Sequence, residues 1–288
     1  MSDRAAQTAV GPMVIVAVEQ AEDRPLVRDE LAGRLLPAVG RVAVACARWR
    51  PVRRALIAAT EKKVPGLWAG VLCRKRYIDD RVRAALTTGI EAVVVLGAGF
   101  DTRAHRIARP AGASVYEVDL PVNVERKRAL IARLGAEVSA RVTLVPVDFG
   151  TQDLGEVLAQ RGYRRGQRTL FVWEAVTQYL DEPGVRATFD FLAEAAPGSE
   201  LVFTYVRRDF LDGTSLYGAQ AAHREFVSGK RLWRFGLAPD KVEDFLAPYG
   251  WAAVEQVGPA EYDARYLRPA GRALPVSEIE RCVLAVKT

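Results

Sequence analysis

The stretch EAVVVLGAG (91–99) most constrains what this chain can fold into. A continuous apolar run that ends in glycines is the pattern of a parallel strand buried on both faces. Gly97 and Gly99 let the backbone turn sharply and approach a ligand without a Cβ in the way. The charged segment FDTRAHRI (100–107) follows with the look of a helix. This is half of a dinucleotide-binding fingerprint, because Thr102 stands where the third glycine of G-x-G-x-x-G would be. What the loop holds, if not a pyrophosphate, is the question the rest of the chain has to answer.

Downstream, strands and helices alternate. SVYEVDLP (114–121), RVTLVPVDF (141–149), TLFVWEAV (169–176) and SELVFTYV (199–206) read as strands. VERKRALIARLG, closed by Gly135, and EPGVRATFDFLAEAAPG read as the helices between them. Residues 1–85 read as mostly helical, broken at Pro37 and Pro51. Residues 207–250 are polar and aromatic, with helices such as PDKVEDFLAPYG. WAAVEQVG (251–258) and IERCVLAVKT (279–288) read as a final hairpin. The pattern predicts an α/β fold: a doubly wound, mostly parallel seven-stranded sheet with an N-terminal helical extension and a C-terminal β-hairpin. The expected division is a helical extension or lid over 1–85 and a ligand-binding core over 86–288, with a substrate-covering insertion at about 207–250.

Ligands on such sheets bind outside the carboxyl ends of the strands, and polar residues do stand there. Asp101 or Thr102 can cap the helix after the glycine loop, whose free N–H groups then favour an anion. Asp119 lies 22 residues after Gly97, where a carboxylate suits a ribose diol. Glu117 points to the same side, with a surface salt bridge as its plainer reading. Asp148 offers an acceptor and Phe149 an apolar wall for an adenine. Glu174 directly follows an apolar strand, a costly place for a charge unless it faces a ligand.

Other chemistries find little support. The chain has 288 residues, enough for a core without staples. Its 41 basic and 35 acidic residues leave a net charge of +6, but the basic residues are dispersed and form no nucleic-acid motif. The three cysteines form neither metal spacing nor a disulfide framework, so they read as buried apolar side chains in a cytoplasmic protein. Met13–Val18 is too short an apolar run for a membrane span. The two histidines, His105 and His223, complete no Ser-His-Asp or Cys-His pattern.

RKRYIDD (74–80), VVVLGAGFDTRAHRI (93–107), VYEVDLP, PVDF and WEAVTQYL occur in an order and spacing that resemble the leucine carboxyl methyltransferase family. These are S-adenosylmethionine-dependent O-methyltransferases whose bacterial branch includes polyketide carboxyl methyltransferases. The resemblance covers roughly residues 15–288 and implies a class I, Rossmann-like methyltransferase core. It also answers the opening question: the loop would face the methionine half of the cofactor, which carries no pyrophosphate. By the matching motifs, Arg74 would pair with the methionine carboxylate, with Gly97, Gly99 and Asp101 in the cofactor loop. Asp119 would bind the ribose, Asp148 and Phe149 the adenine, and Glu174 would lie near the methionine amino group. The usual bacterial motif reads Arg-Thr-Arg where this chain has Lys75, so the resemblance alone does not choose between Arg74 and Arg76.

A carboxylate acceptor is ionised at neutral pH and needs no general base, which suits a chain poor in histidine. A phenol or alcohol acceptor is the alternative. Tyr179, Tyr205, Arg207 and Arg208 are candidate contacts to a small-molecule substrate, and 224–237 a candidate lid or simply a helix packed on the sheet. The chain is expected to be a monomer or homodimer, with no nucleic-acid or membrane partner. Two rivals remain in view. An NAD(P)-dependent oxidoreductase would need the third glycine, and the short-chain type Tyr-x-x-x-Lys, which does not occur. A catalytically silent cofactor-binding regulator or scaffold would keep the same binding residues.

Overall fold

Every residue of β1 (Ala92–Leu96) is buried, because both faces of the sheet are covered. The computed structural model describes residues 10–108, 111–135, 142–148 and 152–288. In them β1 pairs with β2 (Ser114–Asp119) on one side and β4 (Thr169–Trp173) on the other, both parallel. Then β3 (Val142–Pro146) joins β2, and β5 (Glu200–Arg207) joins β4, again in parallel. The last two strands, β7 (Trp251–Val257) and β8 (Glu280–Lys287), form the expected antiparallel hairpin, with β8 inserted against β5. The sheet order is β3-β2-β1-β4-β5-β8-β7. An eighth strand, β6 (Gly236–Leu237), pairs with the end of β5; two residues are too few to leave a periodic signal.

Period two explains the apolar runs. Val93, Val95, Val172 and Val202 face one core, and Val94, Leu96, Phe171 and Phe203 face the other. The first core is closed by α1 (Val10–Glu19) and α4 (Leu67–Thr87), and the second by the helix Glu182–Ala193. Asp181 caps that helix by accepting from Gly184 N at 3.1 Å.

Between α1 and α4 lie α2 (Ala38–Ala47) and α3 (Arg50–Lys63). Pro37 immediately precedes α2, as expected of a break. Pro51 instead sits in the first turn of α3, where the N–H it lacks would have had no intrahelical partner, so it starts a helix. Cys73 and Cys282 are buried, whereas Cys46, on the outer face of α2, is exposed and departs from the expectation. No helix among the described residues is long and apolar enough to cross a membrane.

Candidate functional site

The strand order reverses between β1 and β4, and a cleft of about 130 Å³ opens there at the strand ends. The glycine loop forms one wall. Gly97 has φ +71°, and a Cβ on it would overlap the Val176 side chain across the cleft. The N–H groups of Gly97 and Ala98 both donate to Val118 O, at 2.8 and 3.0 Å, tying the loop to the end of β2.

Asp119, at that end, accepts from three donors. Its Oδ2 accepts from Gly99 N at 2.6 Å, and its Oδ1 from Leu120 N and Asn123 Nδ2, both at 2.7 Å. Burial nevertheless raises its pKa, and the hydrogen bonds only partly offset this. Glu117 is buried too: it pairs with Lys127 at 2.7 Å rather than forming a surface bridge.

The opposite wall follows β4. Glu174 Oε1 accepts from Arg74 Nε at 2.7 Å, and its Oε2 from Arg103 Nη1 at 2.6 Å and Lys75 Nζ at 3.1 Å. Arg103 also binds Asp79 at 2.8 Å and Asp101, and Arg74 Nη1 binds Glu280 at 2.6 Å. Burial opposes ionisation of Glu174, but Arg103, Lys75 and Arg74 outweigh it and hold the carboxyl well below its usual range. The same contest leaves Asp101 at about 2, burial being overcome by Arg103 and Lys75. Ala175 takes a left-handed backbone, φ 56°, with its N–H donating to Thr204 Oγ1 at 2.8 Å. A non-glycine residue in this conformation costs on the order of 1–3 kcal/mol and persists only where its surroundings hold it.

The structure brings Arg74, Gly97, Gly99, Asp101, Asp119, Glu174 and Tyr179 to this one cleft. It places Arg76 elsewhere, on Asp80 and the Leu26 carbonyl. Asp148 lies just past β3, outside the residues lining the cleft, and Phe149 lies outside the described residues. Tyr205 is fully buried in the sheet, its hydroxyl donating to Gln256 at 2.8 Å, and does not reach the cleft. Arg207 does not reach it either, being held by Asp209 at 2.8 Å and Glu278 at 3.2 Å. Two positions apart on β5, they share one face of the strand, and on that face Tyr205 packs into the second core with Phe203 rather than toward the cleft.

The expected helix N-terminus after the loop is also different. Beyond Arg103 lies a single π-helical turn, Ala104–Ala108, and Asp101 Oδ1 already accepts from Arg103 N at 2.7 Å. Thr102 donates its hydroxyl to Asp29 at 2.6 Å instead of capping. The cations at the cleft are therefore side chains, Arg74 and Lys75, rather than a helix end.

Sequence reasoning missed Lys75, Arg103, Asn123, Ala175 and Glu280 as builders of this site. Asn123 carried a signal, standing one helical turn beyond Asp119. Arg103 carried none, since a charged residue in a helical pattern reads as solvent-facing.

A second cavity, about 690 Å³, adjoins the first, and Pro12 and Tyr179 line both. Its walls come from α1, α3, α4 and the segment 222–233. That segment contains a π-helix, His223–Gly229, and then irregular chain, and it lines the cavity rather than packing as one helix on the sheet. His223 does not line the cavity; its ring lies 3.3 Å from Ser228 Oγ and 3.4 Å from the Leu211 carbonyl. Among the described residues no cluster of His, Cys, Asp or Glu could hold a metal ion.

Comparison with known proteins decides the family. Residues 9–193 match the model of the leucine carboxyl methyltransferases. The chain belongs to the leucine carboxyl methyltransferase family. A relative from Mycobacterium ulcerans (strain Agy99), assigned as an S-adenosyl-L-methionine-dependent methyltransferase, is 31% identical over 84% of this chain and 82% of its own. One from Mycobacterium bovis (strain BCG / Pasteur 1173P2), assigned likewise, is 30% identical over 96% and 88%. Among solved structures, a protein of Thermobifida fusca YX assigned as a methyltransferase aligns with a TM-score of 0.60 at 17% identity, covering 96% of this chain and 94% of its own. At that identity the likeness concerns the fold, here the class I methyltransferase sheet. This family member is an S-adenosylmethionine-dependent methyltransferase, and S-adenosylmethionine is its cofactor.

The residues present fit that cofactor. A backbone cradle that a Cβ would fill runs past Gly97. Cationic Arg74 and Lys75 stand beside the firmly ionised Glu174 and Asp101, an arrangement complementary to an amino acid's zwitterionic end. Asp119 with Asn123 presents the acceptor and amide chemistry that a vicinal diol needs.

Proposed function

We propose that this protein transfers the methyl group of S-adenosylmethionine to a carboxylate oxygen of a small molecule, forming a methyl ester. When bound, the cofactor supplies a methyl carbon on a sulfonium, from which an acceptor oxygen displaces a neutral thioether. Arg74 and Lys75 would hold the methionine carboxylate and Glu174 the amino group, with Gly97 and Gly99 along the chain between them. Arg74 has an advantage for this: Glu174 and Glu280 engage its Nε and Nη1, leaving Nη2 for a further carboxylate. Asp119 would take the ribose hydroxyls, and Asp148 with Phe149 the adenine. Tyr179, shared by the two cavities, would position the acceptor. Residues 1–85 would act as the cover of the site, and the insertion at about 207–250 as its outer wall.

The carboxylate reading rests on one observation: among the described residues, those where the cavities meet, Pro12 and Tyr179, include no group suited to take a proton. Glu174 and Asp101 are weak bases because cations hold them ionised. Asp119 is engaged by three donors. Neither histidine lines either cavity. A phenol, whose pKa is about 10, would need such a base at neutral pH, whereas a carboxylate would not. What remains for the enzyme is to hold the acceptor in line with the methyl group, an effect worth about 7–11 kcal/mol in well-oriented systems.

The test is a mass-spectrometric screen of carboxylic acids and phenols for a gained methyl group, followed by a pH profile on the best acceptor. Methyl esters formed with a rate flat across neutral pH support the reading. Phenol ethers whose formation climbs with pH would replace it with hydroxyl methylation.

A further inference from the structure

We propose that the larger cavity is the acceptor chamber and that it takes an acid with a single carboxylate on an apolar body, an alkyl chain or a fused ring. The inference rests on the carboxylate reading and adds the class of molecule that carries the carboxylate. At about 690 Å³ the chamber falls within the ~300–1,000 Å³ of small-molecule sites. Its walls are supplied by Ile15, Leu56, Trp68, Val71, Phe226 and Trp233. The last two are stacked, ring centroids 5.0 Å apart and planes 11° from parallel, presenting a flat aromatic side.

Among the polar side chains of the lining, Thr60 and Glu225 are committed, and the indole N–H groups of Trp68 and Trp233, though unpartnered, are buried behind the surface. Thr60 donates its hydroxyl to the Leu56 carbonyl at 2.9 Å. Glu225 is held by Lys63 at 2.6 Å and Lys230 at 2.7 Å, where the covering segment meets α3. A sugar or a peptide would bring many hydroxyl or amide groups into this space and leave them unpaired, at about 1–3 kcal/mol each. An apolar body gains instead, at roughly 25 cal/mol for each Å² taken out of water.

Tyr179 is the polar side chain common to chamber and cofactor cleft. Its turn is fixed from the covering segment: Arg234 donates to the Tyr179 carbonyl at 2.8 Å and, through its own N–H, to the Gln178 carbonyl at 2.7 Å. A phenolic O–H can donate to one carboxylate oxygen and leave the other free to form the new C–O bond. The acid therefore enters with its charged end toward Tyr179 and its body among the apolar walls.

The experiment is calorimetric titration of the full chain, saturated with S-adenosylhomocysteine, with dodecanoate and 2-naphthoate as extended and flat probes. Butyrate and glucuronate serve as small and polar acids. At least one apolar probe should bind in the micromolar range, with butyrate and glucuronate weaker by about a hundredfold. Val71→Trp, which fills the chamber from α4, should weaken that probe by at least about tenfold while S-adenosylhomocysteine binding is kept. Leu232→Trp fills it from the covering segment and stands in if the first variant does not fold. Glucuronate binding as tightly as the apolar probes, filled variants binding like the parent, or no probe binding to a chain that binds S-adenosylhomocysteine would each overturn the proposal. Failure of the parent chain to bind S-adenosylhomocysteine would instead strike at the assigned cofactor residues.

Discussion

On the strand side of Tyr179 the walls are charged and hydrogen-bonded, and on the helix side they are apolar and packed. Around the glycine loop, Arg74, Lys75 and Arg103 interlock with Asp79, Asp101, Glu174 and Glu280. Around the chamber, Ile15, Leu56, Val71 and Phe226 line one space from elements far apart in the chain. The first wall can hold one zwitterionic molecule whose charges match position by position. The second, as the proposed acceptor chamber, would discriminate by shape and dryness, so that its specificity would change with side-chain volume.

The sharpest way to break this contrast is through Arg103. Arg103→Ala strips Asp79, Asp101 and Glu174 of their shared buried cation. Removing one partner of such a pair costs about 3–5 kcal/mol, so urea unfolding should shift by that order. A change under about 1 kcal/mol, the size expected of exposed pairs, would mean that the network is solvated in solution.

Asp119→Ala should leave the fold in place and weaken S-adenosylhomocysteine binding by about 1–3 kcal/mol, read by calorimetry. Unchanged affinity would remove Asp119 from the proposed ribose contact.

Acidification should separate binding from folding. Burial raises the Asp119 pKa above 3.8, so its ionised form costs stability at neutral pH, a cost relieved as the pH falls through the folded value. Asp101, at about 2 when folded against 3.8 otherwise, contributes stability at neutral pH that is lost as pH falls from about 4 to 2. Cofactor affinity should therefore decline at a higher pH than the one at which the fold fails. Asp119→Asn should abolish that decline, and a coincident loss of binding and fold in the parent would contradict the assignment.

The smallest effects belong to the outer wall. Lys63→Ala removes a half-exposed ion pair to Glu225 and should cost no more than about 1 kcal/mol in stability. His223→Ala should leave turnover of a carboxylate acceptor nearly intact. A large loss there, with folding kept, would favour a hydroxyl acceptor after all.

Much of the strand side was legible in the sequence, because its signals are local. An apolar run announces a strand buried on both faces, paired glycines announce a turn with no room for a Cβ, and an acid at a strand end announces a cleft. These marks point to β1, to Gly97 and to Asp119 and Glu174. They failed where orientation mattered. Tyr205 and Arg207 stand at the end of the right strand but face other partners.

The sequence by itself determined the alternating fold, the strand ends where polar groups gather and the motifs of the cofactor loop, since each is written in neighbouring residues. Only the tertiary structure decided that Arg74 and Lys75, not Arg76, face the cleft. It alone joined Arg103 to three carboxylates and met Leu56, Val71 and Phe226 across one chamber. Apart from Arg103 with Asp101, two positions away, those groupings join residues tens of positions apart or more, and their partners are chosen by how helices pack on the sheet, which no local pattern records.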